Sequence, residues 1–362
     1  MLQTLTLENY KGFSKISLEN LKRVNIIAGQ NNTGKTSILE SIFLFYDRGA
    51  PDLFFKIMAL RGVLAVELTP NNLWGPYFKD YDTSKPINIT VNDSGHIHEA
   101  SYNHKKNNTQ SVNVENYNNI SFNNISFNNI QTSQSNLSDI LVCKYKADKV
   151  NFGETTFRID GGQLSLDFNN MRGINKKLSY VPSSNKGTHL ADAERLGRID
   201  IEQGLSKIVE HLKIIEPNLN SLSVVLQAQQ PIVYCDIGLK RKVPISLMGE
   251  GISKLLSILA AILTTESGIV CIDEIENGIH YSLFPKVLKT IIDTAEEFNC
   301  QLFITTHSND VLKGLYFSSK EEPEVNKSVS FYRIDRKNGE IRPKHYTSSM
   351  LFSAIDRAWE VR

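Results

Sequence analysis

The chain has 362 residues, of which 41% are hydrophobic and 22% charged, a soluble globular composition with ample material for a core. A formal net charge of +1 provides no global pull toward nucleic acid, and four scattered cysteines without a CxxC pair form neither a zinc site nor a disulfide framework, which favours a reducing cytoplasmic setting. The longest apolar run, residues 255–263, is too short to span a bilayer, and the first residues lack the basic-then-apolar order of a secretory signal. In chain order, residues 4–10 alternate as TLTLENY, a half-buried strand; Lys11, Gly12 and Phe13 read as a turn, and residues 16–18 as a returning strand.

Residues 23–45 carry the strongest local signal. Val24, Ile26 and Ile27 suit a buried strand, the loop Gly29-Gln-Asn-Asn-Thr-Gly34-Lys35-Thr36 follows at once, and Ile38, Leu39, Ile42 and Phe43 recur at helical spacing. Strand, glycine-containing loop and helix in this order make a P-loop. Glycines at 29 and 34 let backbone N–H groups turn inward around a phosphate, where the helix N-terminus adds its partial positive charge. Lys35 is placed to reach the β- and γ-phosphates, and the Thr36 hydroxyl to ligate Mg²⁺. The expected triphosphate-binding residues are therefore Gly29, Asn31, Asn32, Thr33, Gly34, Lys35, Thr36 and Ser37, with ATP and Mg²⁺ as cofactors.

From 51 to 180 the pattern is weaker. Residues 60–68 and 87–91 read as strands, and residues 103–136 are Asn- and Ser-rich with the short repeat NNI-SF-NNI-SF-NNI, read as a polar, flexible insertion. Residues 157–167 alternate like strands around Gly161-Gly162. One long helical pattern begins near Ala191, with Ile199, Leu205, Ile208, Val209, Leu212 and Ile215 on one face and Glu216-Pro217-Asn218 as its end. Residues 222–226, 232–235 and 240–245 suggest a small meander. Gly249-Glu250-Gly251 opens an apolar helix to 263; then come a strand to 273, a helix over 281–298, a strand over 301–306 and a helix over 308–315. This alternation indicates a parallel sheet. Residues 328–333 and 340–345 form a predicted hairpin around Asn338-Gly339, and a helix over 351–359 follows.

The stretch Ile269-Val-Cys-Ile-Asp273-Glu274 has the form of a Walker B strand. An apolar strand carries Asp273 to the carboxyl edge of the sheet, where an α/β fold binds its ligand and where this residue would hold Mg²⁺. Glu274, one residue on, is placed to polarise the water that attacks the γ-phosphate.

The opening LENYKGF ahead of the P-loop strand, the phrase IDEIENGIHYSLFPKV and the preceding PISLMGEGISKLLSILAAI resemble ABC-type P-loop ATPases of the OLD, RecF and SMC group. That resemblance covers residues 1–45 and 244–315. It implies an α/β fold, an ABC-type P-loop NTPase with a mixed β-sheet core and an additional helical/β lobe carrying the Asn-rich insertion. The core is expected over 1–60 and 190–362, with the inserted lobe over 61–189. It also implies that Lys11 helps hold the nucleotide, and that His307 is a switch residue acting with Glu274 in catalysis. The helix start at Gly249 and Glu250 stands where the signature helix meets the ATP of a second subunit, although Met248 replaces a glycine of LSGGQ and Tyr281 stands where the OLD pattern has proline. Only about 45 residues follow Leu315, too few for the Toprim nuclease of OLD proteins. The expectation is an ATPase that forms a homodimer or larger homo-oligomer and regulates a separate effector, a nuclease or toxin, in anti-phage defence. The competing readings are a RecF-like DNA-binding repair ATPase and the nucleotide-binding subunit of a membrane transporter.

Overall fold

A computed structural model of the chain describes all residues except 64, 108–114, 117–119, 123–124, 128–137, 161–162, 170–175, 185–188, 228, 322–324, 338 and 358–362. The chain divides into two units, the first made of Met1–Leu21, Asn32–Asn175 and Asp335–Pro343, the second of Lys22–Asn31, Lys176–Ile334 and Lys344–Arg362.

The chain begins with β1 (Leu2–Tyr10) and β2 (Phe13–Glu19), then β3 (Val24–Ala28), which belongs to the second unit. The first unit continues with α1 (Lys35–Tyr46), α2 (Leu53–Leu60) and a single turn, α3 (Pro70–Leu73). Its remaining strands are β4 (Ile87–Asp93), β5 (His96–Asn107), β6 (Glu115–Asn116), β7 (Ile120–Phe122), β8 (Ile125–Phe127), β9 (Ser138–Ala147), β10 (Val150–Asp160) and β11 (Gln163–Asn169). Eight of its strands form one sheet in the order β2-β1-β4-β5-β9-β10-β11-β6. Strict alternation explains the sheet's single buried face: Ile87, Ile89 and Val91 of β4 are buried while their neighbours are half exposed. Leu5 and Leu7 of β1 point the same way, directly opposite Val91 and Ile89. In the core of this unit the Phe54 ring meets Tyr77, Tyr102 and Phe157 edge-on, with centroids 5.1 to 6.5 Å apart. The buried Arg48 is accommodated by donating to the Phe45 carbonyl at 2.8 Å and lying 3.6 Å over the Tyr145 ring.

β1 and β2 pair into the sheet of residues 87–169 through long-range pairing, such as Leu5 with Val91, that no local pattern carries. The described residues of 60–68 hold no strand: Leu60 ends α2, whose LFFKIMAL is apolar but for Lys56 and so lacks a readable period. Within 103–136, β5 runs on to Asn107, and the repeated ISF segments pair antiparallel, Ile120 with Phe127 and Phe122 with Ile125. The rest of that Asn-rich stretch lies outside the described residues, as does the Gly161-Gly162 turn, whose flanking strands pair as expected.

The second unit starts with β12 (Leu178–Val181), α4 (His189–Ile201) and α5 (Leu205–Leu212), then the meander β13 (Ser221–Gln227), β14 (Gln230–Asp236) and β15 (Val243–Pro244). After α6 (Glu250–Thr264) come β16 (Ile269–Ile272), α7 (Phe284–Glu297), β17 (Gln301–Thr306), α8 (Asn309–Glu321) and the single turn α9 (Val325–Ser328). β18 (Val329–Lys337) and β19 (Glu340–Tyr346), whose residues 335–343 belong to the first unit, and α10 (Ser348–Asp356) follow. The main sheet has the order β12-β16-β17-β3-β18-β19, and its first five strands run parallel. Every residue of β3, β16 and β17 is buried, the continuous apolar reading of a parallel sheet covered on both faces. The apolar residues of α6, among them Leu255, Ile258, Leu259 and Ile262, pack into one cluster with Ile291 of α7 and Leu196 of α4.

The long helix expected from residue 191 is broken. Gln203 adopts φ +59 and Gly204 donates to the Ile199 carbonyl at 2.8 Å, so α4 closes before α5 begins although the apolar spacing continues through the gap. No helix among the described residues is long and apolar enough to cross a membrane.

Candidate functional site

The P-loop is built across the end of β3 and the start of α1. Gly29 has φ 148, Asn32 φ 60 and Gly34 φ 89, so three of its backbone positions lie at positive φ. Gly34 is the N-cap of α1; a Cβ there would stand 2.5 Å from the buried Phe13 ring, so space and backbone both require glycine. No side chain caps this helix and no acid stands in its first turn, an arrangement that does not repel an anion from the helix N-terminus. Thr33, Lys35 and Ser37 are buried, Thr36 is half-buried, and Gln30, Asn31 and Asn32 are exposed. Lysine and N–H groups are chemistry that suits a triphosphate, and hydroxyl and carboxylate oxygens are the hard donors that Mg²⁺ takes.

Lys11 belongs to an ion cluster. Its Nζ is ion-paired with Glu40 Oε2, Arg61 Nε takes Oε1 of the same carboxylate, and the Glu40 side chain is 0% exposed. The Lys11 ammonium also lies 5.0 Å from the Tyr77 ring centroid, and burial lowers its pKa against the pull of Glu40. Beside this cluster is a cavity of about 340 Å³ lined by Lys11, Met58, Arg61, Val66, Tyr77 and Tyr81 among others. Neither Glu40 nor Arg61 carries any motif that would single it out in the sequence.

In the second unit the acids and the histidine come together at the ends of β16 and β17. Asp273 is buried; its Oδ1 accepts from the Thr305 hydroxyl at 2.5 Å and its Oδ2 from the Tyr180 hydroxyl at 3.2 Å. The same Thr305 Oγ1 accepts the Glu274 N–H at 2.8 Å, so one hydroxyl aligns two successive residues. Glu274 adopts φ 46, a left-handed conformation that costs a non-glycine residue about 1 kcal/mol and turns its half-exposed carboxylate out of the strand line. Asn277 Nδ2 donates to Glu274 Oε2 at 3.0 Å and to the Ser183 carbonyl at 2.9 Å.

His307 Nδ1 lies 3.8 Å from Glu274 Oε1 and 2.9 Å from Glu276 Oε1. Glu276 Oε1 accepts the His307 backbone N–H at 2.6 Å, whereas the approach to Nδ1, though short, lacks hydrogen-bond alignment. Glu276 thus anchors the histidine through its backbone and places negative charge beside the ring. Thr305 and Glu276 were not among the expected site residues; the acid at 276 was visible in the sequence as part of the E-N-G phrase.

The helix start at Gly249 and Glu250 is exposed, and Gly249 takes φ 106 and ψ 159, a region only glycine occupies readily. Ser246 and Leu247, in the turn before it, are exposed as well, Leu247 at 75%. Four residues inside the helix, Lys254 is 1% exposed; its Nζ donates to the Asp273 carbonyl at 2.8 Å and to the Pro182 carbonyl at 2.5 Å.

Residues 1–218 match the family described as AAA ATPase domain, and residues 179–313 match an AAA domain family described for the AbiEii toxin of Type IV TA systems. A Helicobacter pylori protein named ATP/GTP phosphatase is 26% identical over 332 residues, 86% of this chain and 87% of that protein. The DNA replication and repair protein RecF of Rickettsia prowazekii is 49% identical over 45 residues, 12% of each chain. Among solved structures, the SMC head bound to the C-winged helix domain of ScpA shares the fold with a TM-score of 0.50 at 12% identity, over 98% of this chain and 99% of that one.

Proposed function

The chain belongs to the AAA ATPase domain family and is an ATPase, and from that premise we propose that it is a nucleotide-driven switch whose two sites are each completed by a second copy. In this reading Gly29, Asn31, Asn32, Thr33, Gly34, Lys35, Thr36 and Ser37 bind the phosphates, and Lys11 stands at the edge of the nucleotide site. Thr36 and Asp273 are the residues that would hold Mg²⁺, which would supply positive charge against the triphosphate. Glu274 orients and deprotonates the attacking water, and His307 contacts the γ-phosphate side of the site. The Gly249–Glu250 helix start is offered to the nucleotide of the partner copy.

The observation that carries the proposal is the pairing of Glu274, turned outward at positive φ and held by Asn277, with a histidine 3.8 Å away just past the end of β17. A carboxylate so restrained is suited to fixing one water molecule. Because ATP would bridge two copies, nucleotide state sets their spacing, which is the differential contact a switch needs. The output is read by a separate effector, a toxin or nuclease in phage defence; the match of residues 179–313 to an AAA domain family described for a Type IV TA system supports only the toxin–antitoxin side of that setting. The RecF-like alternative is supported by short matches covering 12% of the chain.

The test uses two variants of the full chain. Lys35→Ala should fold but lose tight ATP binding in calorimetry. Leu247→Arg changes an exposed side chain beside the helix start, so it should bind ATP as a folded monomer yet not dimerise or hydrolyse it. Mixing the two should restore at most one competent site per heterodimer. Normal hydrolysis by Leu247→Arg as a strict monomer would refute the shared site, and unchanged ATP affinity in Lys35→Ala would refute the P-loop reading.

A further inference from the structure

The start of α6 is fastened to the loop that follows β16 at two places. At the first, glycine meets glycine: a Cβ on Gly251 would collide with the Gly278 carbonyl oxygen, and a Cβ on Gly278 would stand 2.6 Å from Glu250 Cβ. The helix and the loop after Glu274 therefore touch backbone to backbone. At the second, one turn further along the helix, the Lys254 ammonium bridges the Asp273 carbonyl and the Pro182 carbonyl at the ends of two adjacent strands, β16 and β12.

A lysine 1% exposed has no water to turn to, so its donors must be met by protein. It makes no direct ion pair among the described residues. Burial pushes its pKa down to about 8, opposed by the charges of Asp273, Glu276, Glu274 and Asp192. A hydrocarbon side chain of the same length would pack more cheaply in this apolar helix, so the stability of the core does not explain a lysine here. Its two acceptors do: both are backbone carbonyls at strand ends, one of them that of Asp273 itself.

We propose that Lys254 is a positioning residue for ATP hydrolysis, holding the backbone of Asp273 so that the Asp273 and Glu274 carboxylates keep their places relative to the helix start at Gly249. With the Gly251–Gly278 contact it makes α6 and residues 273–279 one rigid piece. Any movement of the helix start is thereby passed to the acids. The inference rests on reading Asp273 and Glu274 as the hydrolytic pair, and Glu274→Gln is the control that separates the two claims.

The experiment measures steady-state ATP hydrolysis, affinity for a fluorescent ATP analogue, the Mg²⁺ concentration for half-maximal rate and the melting temperature, all on the full chain. Lys254→Met should bind the nucleotide nearly as wild type does, while kcat falls about 10²-fold, the usual effect of displacing a reacting group by about 1 Å. Its Mg²⁺ requirement should rise, because the Asp273 backbone loses its Lys254 contact, although the hydroxyls of Thr305 and Tyr180 still hold the carboxylate. Lys254→Arg, which keeps a charged donor for the two carbonyls, should recover most of kcat. Should Lys254→Met fail to fold, Gly251→Ala carries the same test, since it separates helix from loop without removing a charge and should give the same split. A folded Lys254→Met with unchanged kcat and Mg²⁺ requirement, or a loss confined to nucleotide affinity, overturns the proposal. If Glu274→Gln hydrolyses ATP normally, the underlying reading of the acids falls and the positioning role with it.

Discussion

The Glu40 cluster allows a sharp test of what Lys11 is for. Replacing Glu40 by alanine removes a fully buried carboxylate from between two cations. Breaking a buried pair by deleting one partner costs about 3–5 kcal/mol, because a charge is left without compensation. Here the loss is smaller on one side: the Arg61 side chain is 44% exposed and can turn to water, whereas Lys11 is 19% exposed and cannot. A cost of about 2–4 kcal/mol follows, or a fall in melting temperature of roughly 5–15 °C at about 2–4 °C per kcal/mol. Lys11→Met combined with Glu40→Gln removes both charges and should regain much of that loss. Circular dichroism melts of the three proteins decide the matter. If Glu40→Ala melts within about 2 °C of wild type, or the double variant is no better than the single one, then Lys11 is not a structural counter-ion and its service lies with the nucleotide.

Three further outcomes are expected. Glu274→Gln should keep ATP while its turnover falls by about 10²–10⁴-fold, so that the ATP-bound dimer accumulates and is seen by light scattering; unchanged turnover would move the role to His307. Gly34→Ala forces a side chain into φ +89 and against the buried Phe13 ring, and should destabilise by about 2–4 kcal/mol, read as a lower midpoint in urea; an unchanged midpoint would show that the loop relaxes freely. The four free cysteines are all buried, and burial raises the thiols of Cys235 and Cys300 to about 11 from 9.0. A raised thiol pKa stabilises the fold below the unfolded value and ceases to do so as pH climbs, so stability should decline between about pH 9 and 11, and Cys300→Ala should flatten that decline in pH-dependent melts.

The parts legible in the sequence are those whose physics is local. Strand, glycine loop and helix around Lys35 occupy consecutive residues, the apolar β16 and the apolar centre of β17 announce a covered parallel sheet, and the 301–306 strand matches the structure residue for residue. What escaped depends on partners far away. The place of β1 in the antiparallel sheet is fixed by strand β4, more than eighty residues later. Glu40 sits among helical apolar residues as any surface glutamate would, and only the folded chain brings Lys11 and Arg61 to it. Lys254 reads in sequence as a side chain whose stem is buried and whose charge escapes to water. A polar column of Ser253, Lys254 and Ser257 in an otherwise apolar helix was the available hint. The break at Gln203 was hidden because the apolar spacing continues across it.

The central position of β3 has a consequence for how the protein is made. Its neighbours on either side, β17 and β18, come from the other end of the chain, and Asn25 Nδ2 donates to the carbonyl of Leu302, 277 residues away. At about 5–20 residues per second, roughly 15–55 s of synthesis separate the appearance of the two partners. During that interval Val24-Asn-Ile-Ile-Ala28 has no strand to pair with, and the P-loop it carries lacks the sheet that would hold it in shape. The apolar strand is then open to chaperones or to pairing with another nascent chain. Nucleotide binding therefore becomes available late, after β17 and β18 have left the ribosome and closed the sheet around β3.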